Sequence, residues 1–305
     1  MEPAGRGERL DRFLASPDRL GSRSRARSAL ERNKVLVNGL DVGYEAAARR
    51  LEPGDVVRVW MDRPGSATRR LRAVVVGDLR VLFEDDCLLV VDKPAGLLAV
   101  PLERKRGAGS AFDLLDEHLR SHRVQRPLVV HRIDRDTSGL VVFAKTPAAQ
   151  AHLKAQFLRR EPERVYWAVV YGRPEPPEGT WRDRLAWDRT ALVQKAAHPR
   201  DPRGTEAVCR YKVLERFRGT SLIEVRLHTG KRNQIRIQAR LRGHPLVGER
   251  RYVSALEPHA RISFPRQALH ACRLSFRHPR DGRSLSFDAP LPADLAGLLA
   301  RLRRG

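Results

Sequence analysis

The sequence has few cysteines, no long apolar run and a shortage of acidic side chains. Cys87, Cys209 and Cys272 are isolated, and no CxxC pair is present, so neither a structural zinc site nor a disulfide framework is indicated. This cysteine usage fits a reducing, cytoplasmic setting. The N-terminal residues lack the apolar core of a signal peptide, and no run of about 18 apolar residues is present. We therefore expect no secretory signal, no spanning helix and no membrane partner.

The shortage of acidic residues leaves a large positive charge. Lys and Arg total 59 against 36 Asp and Glu, which gives a formal net charge of +23 over 305 residues. Such a charge favours a polyanionic partner, and RNA, DNA and an anionic membrane all fit the charge taken alone. Because the excess over Asp and Glu is large, we favour a nucleic acid. The hydrophobic fraction of 41% is ordinary for a globular chain, so we expect the protein to fold without a partner, as a monomer.

Residues 8–61 are predicted to form a small domain of helices followed by short strands. The spacing of Leu10 and Leu14 predicts a first helix, and a second is predicted from Ser22 to Arg32. An apolar run interrupted by Asn38-Gly39 then predicts two strands joined by a tight turn.

Five cations crowd the second helix and its exit, namely Arg23, Arg25, Arg27, Arg32 and Lys34. A solvated basic face is the simpler interpretation of this cluster. No carboxylate is interleaved before Glu31, so we favour a phosphate-binding surface.

The rest of the chain is predicted to be a linker followed by a mostly β domain. Residues 62–79 carry Pro, Gly, Ser and Arg and are predicted to be the linker. Residues 80–300 contain two predicted helices, one starting at the N-cap Thr146 and stopped by Pro162, and one over 233–242. Strands are predicted at 81–83, 88–92, 128–130, 140–144, 165–171, 208–214, 221–228, 269–276 and 285–287. Many strands without regular βαβ alternation predict an α+β fold with a central, mainly antiparallel sheet.

The most informative stretch is PLVVHRIDRDTSGLVVFAKT, residues 127–146. Two apolar strands flank the polar loop HRIDRDTSG, in which Asp134 and Asp136 are candidate catalytic carboxylates. The adjacent Arg132 and Arg135 favour the ionised form of these side chains. On the residues alone, an Asp-rich structural turn is as good an interpretation as a functional loop.

This loop resembles the HR-[LI]-D-x-x-T-S-G-[LV] signature of the RluA-type RNA pseudouridine synthases. Four other blocks resemble that family in the same order: VVDKPAGLLAVP (90–101), RVYWAVVYG (164–172), LHTGKRNQIRIQARLRGHPLVGERRY (227–252) and RQALHACRLSFRHPRDGRSLSFDAPLP (266–292). The resemblance covers roughly residues 80–295. Residues 8–61 separately resemble the small alpha-L RNA-binding domain, so the implied architecture is a small α+β RNA-binding domain followed by the synthase domain.

The resemblance implies roles for four residues. Asp134 matches the aspartate that starts catalysis, Tyr166 the tyrosine that stacks on the target base, and Arg236 the basic partner of the aspartate. Arg132 matches the arginine that enters the RNA stack when the uridine leaves. The chain departs from the family pattern at Asn233, where a His is usual, and at Ile237-Gln238, where Val-His is usual. We expect these departures near an RNA-facing surface, where they would bear on substrate identity.

The implied reaction explains these residue types. The N1–C1′ bond of uridine must break, the base must turn, and a C5–C1′ bond must form in a nucleotide flipped out of the RNA. A carboxylate can attack C1′, deprotonate the sugar or stabilise positive charge on it, and the sequence leaves these routes open. An isomerisation needs no redox cofactor, nucleotide or metal, so we expect none. Large-subunit ribosomal RNA is the expected substrate, and transfer RNA is the alternative.

Two other classes of protein were weighed against this interpretation. A non-catalytic RNA-binding or assembly factor would not require Asp134, Tyr166 and Arg236 together. A methyltransferase would require a glycine-rich strand-to-helix segment for its methyl donor, which the sequence lacks. Near the loop, His131 is expected to brace the backbone rather than bind a metal. Trp60, Trp167, Trp181 and Trp187 are expected to be packing residues.

Overall fold

A computed structural model describes residues 7–31, 34–38, 40–59, 74–101, 109–121, 126–191, 193–253 and 262–304. Contacts between Cα atoms divide these residues into two units. The first unit holds the described residues up to Val59 together with Phe83–Asp85, and the second holds all the others.

The first unit is built from short elements: α1 (Leu10–Ala15), α2 (Arg23–Glu31), β1 (Val35–Val37), β2 (Leu40–Val42), a 3-10 helix (Tyr44–Ala46) and β3 (Val57–Val59). The three strands form an antiparallel sheet in the order β2-β1-β3. Leu10, Leu14 and Leu30 from the two helices share a core with Val35. Both predicted helices are confirmed, and Asn38 at the predicted tight turn has a φ of 54°.

The remaining elements follow in chain order: β4 (Val74–Val76), β5 (Leu79–Glu84), β6 (Leu88–Lys93), α3 (Ala111–Ser121), β7 (Leu128–Val129), β8 (Ser138–Ala144), α4 (Pro147–Leu158), β9 (Glu163–Tyr171), β10 (Glu178–Asp188), β11 (Val193–Ala196), β12 (Thr205–Arg216), β13 (Thr220–Leu227), α5 (Gln234–Leu241), β14 (Leu269–Arg277), β15 (Ser284–Asp288) and α6 (Ala293–Arg304). Each of the nine predicted strands is present. The predicted α+β class is confirmed.

Within the described residues, β4 to β15 form one twelve-stranded sheet. Its main path runs β11-β10-β12-β13-β9-β14-β8-β6-β5-β4, with β15 paired to β14 and β7 to β8. Most neighbours are antiparallel, whereas β14 runs parallel to β8. The central strands β6, β8 and β9 are buried on both faces, which accounts for their nearly continuous apolar sequences.

Two predictions about local structure can be compared directly with the described residues. Thr146 caps α4 as predicted, and its hydroxyl oxygen accepts a hydrogen bond from the Ala149 N–H at 3.2 Å. The predicted linker at 62–79 is partly wrong, because Val74–Val76 form a strand that pairs with β5. Residues 60–73, which include most of that linker and Trp60, lie outside the described part of the chain.

Five elements of the second unit were not predicted from the sequence, namely β4, α3, β10, β11 and α6. They pack against the large sheet or extend it. α6 packs Leu295, Leu298 and Leu299 against Val169 of the sheet, while β10 and β11 extend the sheet beside α5. In the part of the chain that the structure describes, no helix is both long enough and apolar enough to span a membrane.

Candidate active site

The polar loop that follows β7 is closed at one end by β8. The Thr137 N–H donates to the Asp134 carbonyl at 3.1 Å, which forms the turn. Gly139 then adopts a φ of 111° where β8 meets β14. A Cβ at this position would lie 2.2 Å from the Ala271 carbonyl oxygen, so only glycine permits this close approach of the two strands.

Two buried cations hold the loop from beneath. The Lys93 ammonium at the end of β6 donates to the carbonyl oxygens of Pro94, Leu97 and Arg135 at 2.7 to 2.9 Å. The Arg266 guanidinium donates to the Asp136 carbonyl at 3.1 Å and pairs with Asp294 of α6. Burial lowers the pKa of Lys93 to about 7. Lys93 and Arg266 therefore fix the loop backbone, while side chains of the loop line two cavities.

Asp134 presents its carboxylate to two donors from the segment around α5. The Asn233 side-chain amide donates to Oδ2 at 2.7 Å, and Nη1 of Arg236 donates to the same oxygen at 3.3 Å. The side chain of Asp134 keeps 26% of its exposure, whereas that of Arg236 keeps 10%. The carboxylate is thus oriented by two partners and remains accessible from the cavity.

Arg236 has a stronger partner than Asp134. Its Nε and Nη2 donate to the two carboxylate oxygens of Glu249 at 2.6 and 2.7 Å, and the Glu249 side chain is fully buried. Burial acts to lower the pKa of Arg236, but Glu249 and Asp134 outweigh it and raise the pKa above the ordinary value. The sequence identified the contact with Asp134 but not the bidentate pair with Glu249.

Asn233 lines both cavities beside Asp134, whereas Gln238 lies in the core and departs from the expectation of an RNA-facing surface. Asn233 is buried, contacts Asp134 directly and accepts a hydrogen bond from the Tyr252 hydroxyl at 3.3 Å. Gln238 is fully buried and bonds to the Asp183 carboxylate at 2.7 Å. These departures from the family pattern therefore lie beside the carboxylate and within the core, respectively.

Tyr166 lies on β9 and faces the same cavity as Asp134 and Arg236. This cavity has a volume of about 440 Å³, and its apolar wall includes Phe157 and Leu227. Burial raises the pKa of Tyr166 to about 12. The cation that opposes this rise in the pKa is Arg164, which also lies on β9, and burial outweighs it.

Arg132 is exposed and makes no ion pair with any described residue. It lines the cavity that contains Tyr166 and a second cavity that Asp134 also lines. His131, beside it, behaves as expected. Its Nε2 accepts a hydrogen bond from the Val142 N–H at 3.1 Å, and its ring stacks on Phe157. Burial lowers the pKa of His131 to about 3, so the neutral form that accepts this bond is favoured.

The basic residues predicted in the first unit differ from one another. Arg23 and Arg25 are exposed and form no ion pair within the described chain. Arg27 pairs with Glu31 at 2.8 Å, so part of its charge is compensated. Lys34 is half-buried, and Arg32 lies outside the described residues.

Comparisons with known proteins agree on one family. Residues 87–241 match the RNA pseudouridylate synthase family model. An uncharacterized RNA pseudouridine synthase of Bacillus subtilis is 36% identical, with 98% of this chain and 95% of that protein aligned. Two further relatives are named ribosomal large subunit pseudouridine synthase D. The one from Nitrosomonas europaea is 35% identical, with 97% of this chain and 85% of that protein aligned. The one from Zymomonas mobilis is 36% identical, with 97% of this chain and 94% of that protein aligned.

A solved structure shares the fold. Human RNA Pseudouridylate Synthase Domain Containing 4 aligns with a TM-score of 0.60 at 22% identity, over 73% of this chain and 92% of that chain.

Proposed function

Because the chain belongs to the RNA pseudouridylate synthase family and is an isomerase that acts on RNA, we propose that it converts uridines of large-subunit ribosomal RNA to pseudouridine. We assign Asp134 as the catalytic carboxylate. The observation that carries the proposal is the carboxylate of Asp134, accessible from a cavity and oriented by Asn233 and Arg236. Two relatives bear names that specify the large ribosomal subunit, which supports this substrate over transfer RNA.

In the proposed reaction the flipped uracil occupies the cavity that contains Tyr166. Asp134 acts at the sugar C1′ as the N1–C1′ bond breaks, by attack, by deprotonation of the sugar or by charge stabilisation. The base turns, and the C5–C1′ bond forms. C5 then loses its proton and N1 gains one, so the atoms of uridine and pseudouridine balance. Arg236 holds the carboxylate, and Arg132 fills the space that the uridine leaves in the RNA.

We assign RNA binding outside the catalytic cleft to the N-terminal unit. Residues 8–61 would act as an alpha-L RNA-binding domain through Arg23, Arg25 and Arg27, with Arg32 and Lys34 alongside. The catalytic domain would then run from β4 to about residue 300. We propose that the protein works as a cytoplasmic monomer, and its three buried cysteines, which form no disulfide, fit this setting.

Asp134→Asn tests the catalytic assignment. The amide keeps the size of the side chain but loses its charge, so tritium release from RNA labelled at uracil C5 should fall below detection. RNA affinity and the unfolding midpoint should stay close to those of the wild type. Substantial tritium release by the purified variant would refute the role of Asp134.

Mapping pseudouridines across total RNA, with and without the gene, tests the substrate. Loss of modification at one or more large-subunit positions is the expected result. Loss confined to transfer RNA would replace the proposed substrate with the alternative one and would leave the catalytic assignment untouched.

A further inference from the structure

Asp134 lies on the boundary between two cavities of different chemistry. The first, of about 440 Å³, contains Tyr166 and has aromatic and aliphatic side chains in its wall. The second, of about 820 Å³, is lined by seven arginines: Arg132, Arg135, Arg232, Arg236, Arg250, Arg251 and Arg266. Four residues line both cavities: Arg132, Asp134, Asn233 and Arg236. The first cavity offers apolar surface for a nucleobase beside cations such as Arg164 and Lys231, whereas the second is dominated by arginines and suits anions.

Several of these arginines are already committed to partners within the protein. Arg236 is paired with Glu249, Arg266 with Asp294, and the Arg135 guanidinium donates to the Gly96 carbonyl at 2.9 Å. Arg232 and Arg250 are different, because both, like Arg132, are exposed and form no ion pair with a described residue. Their charges remain available to a ligand in the second cavity.

Arg232 is also held in place. Its guanidinium carbon lies 4.1 Å from the centroid of the Trp187 ring, on β10. A guanidinium stacked on an indole ring keeps its N–H groups at its edge, where they can bind a phosphate with two hydrogen bonds. Arg232 directly precedes Asn233, which touches the Asp134 carboxylate. The supported cation therefore lies one residue from the catalytic contact.

We propose that the second cavity binds the backbone phosphates next to the target uridine, with Arg232 and Arg250 as phosphate contacts and Trp187 as the support of Arg232. This inference rests on the proposed function. When the uracil occupies the first cavity and C1′ lies at Asp134, the sugar and its phosphates lie beside the carboxylate, which also lines the second cavity. The arginines of that cavity carry the charge that matches a phosphodiester chain.

A salt series tests the two contacts. Each cation–phosphate contact that is removed should lower the slope of log affinity against log salt concentration by about 0.7 to 0.9. We expect this change for Arg232→Ala and for Arg250→Ala, measured with the full chain and an RNA hairpin that carries the target uridine. The matched control is Arg218→Ala, which removes an exposed arginine that has no ion pair in the described chain and lines neither cavity. Unchanged slopes for both cavity variants would overturn the proposal.

Hairpins with one neutral methylphosphonate beside the target locate the contact. If Arg232 binds that phosphate, Arg232→Ala should weaken binding to the normal hairpin but not further weaken binding to the hairpin that lacks the charge. Trp187→Leu should weaken binding in the wild-type background and have little effect in the Arg232→Ala background. Additive losses at every phosphate tested would contradict the proposal.

The wild-type enzyme separates this inference from the function on which it rests. Tritium release from the same hairpin reports isomerisation independently of the affinity of the variants. Wild-type release together with additive losses would overturn the phosphate cavity alone. No release from ribosomal RNA or from the hairpin would overturn the proposed function, and the phosphate cavity with it.

Discussion

One arginine serves two carboxylates in this site. Arg236 gives two hydrogen bonds to the fully buried Glu249 and one longer hydrogen bond to the partly exposed Asp134. The backbone N–H of Arg251 also donates to Glu249, at 2.8 Å, which helps to fix that carboxylate. Since Glu249 satisfies one edge of the guanidinium, Nη1 is directed at Asp134. We infer that Glu249 positions Arg236 and does not itself touch the substrate.

Glu249→Gln should therefore affect turnover more than binding. The amide offers one acceptor in place of two and no charge, so Arg236 is released towards Asp134. Single-turnover rates should fall roughly 10- to 100-fold while the Kd for RNA changes less than about threefold, by analogy with residues that orient a site from behind. Glu249→Asp should recover part of the rate. Glu206→Gln, which removes an exposed partner of Arg182, is the control, and an equal effect of the two Gln variants would contradict this role.

The ring of Tyr166 can stack on the uracil, but its hydroxyl has a raised pKa and stays protonated near neutral pH. Burial raises the pKa of this phenol to about 12, so the phenolate is scarce near neutral pH. If the phenolate removes the C5 proton and that step limits turnover, the rate should rise about tenfold per pH unit below pH 12. Tyr166→Phe should still bind RNA but form little pseudouridine and lack this pH dependence. Near-normal tritium release by the variant would remove the hydroxyl from the mechanism.

Two histidines brace β8, the strand that follows the catalytic loop. His131 accepts a hydrogen bond from the Val142 N–H, and Nδ1 of His270 lies 2.9 Å from the Ser138 hydroxyl. Burial lowers the pKa of His131 to about 3 and that of His270 to about 4, from an ordinary value of 6.5. Both rings are therefore neutral in the folded protein over most of the acidic range.

The stability of the fold should consequently fall as the pH drops below about 6.5. Between that pH and about 4 the unfolded chain binds protons that the folded histidines do not. The free energy of unfolding then decreases by at most about 1.4 kcal/mol per pH unit for each histidine. Urea unfolding of the wild type and of His131→Gln, which keeps an acceptor, should show a shallower acid slope for the variant. Equal slopes would mean that His131 does not remain neutral.

The elements that were not predicted from the sequence have weak local patterns or depend on contacts with distant segments. β10 carries charged side chains on its exposed face, and its buried residues, Trp181 and Leu185, lie four positions apart, so alternation of polarity is weak. α6 has regular apolar spacing, but its core contacts come from the distant strand β9. In contrast, α4 could be predicted from its N-cap, its proline and its stop signal, because these signals lie within the sequence of the helix and its ends.

At the scale of the whole molecule, we propose that the first unit binds RNA and the second unit carries out the isomerisation. The first unit exposes Arg23 and Arg25 on α2, and the second contains Asp134, the proposed catalytic carboxylate, and both cavities. Removing residues 1–61 should weaken binding to long RNA and reduce its salt dependence, because several phosphate contacts are lost together. A short hairpin that carries the target uridine should still be modified.

A charge variant distinguishes loss of contacts from loss of the unit. Arg23→Ala with Arg25→Ala keeps the helix and should reproduce part of the reduced salt dependence. If the truncated chain binds long RNA as tightly as the full chain across the salt series, the first unit has another role.

By itself the sequence determined the family, the α+β class, the nine strands and the residues Asp134, Tyr166 and Arg236 as candidates. It could do so because strand alternation, helix caps and the HRIDRDTSGL segment are local patterns of neighbouring residues. The change of pattern along the chain also predicted a basic N-terminal domain followed by a catalytic domain.

Only the tertiary structure decided how distant segments meet. Asn233 and Arg236 both reach Asp134 across about a hundred positions of sequence, and Glu249 takes the larger share of Arg236. The pKa of Tyr166 moves upward because burial, a property of the packed fold, outweighs the nearby charge. Contact partners and desolvation depend on the positions of atoms from separate segments, and neither can be read from residue types and their spacing alone.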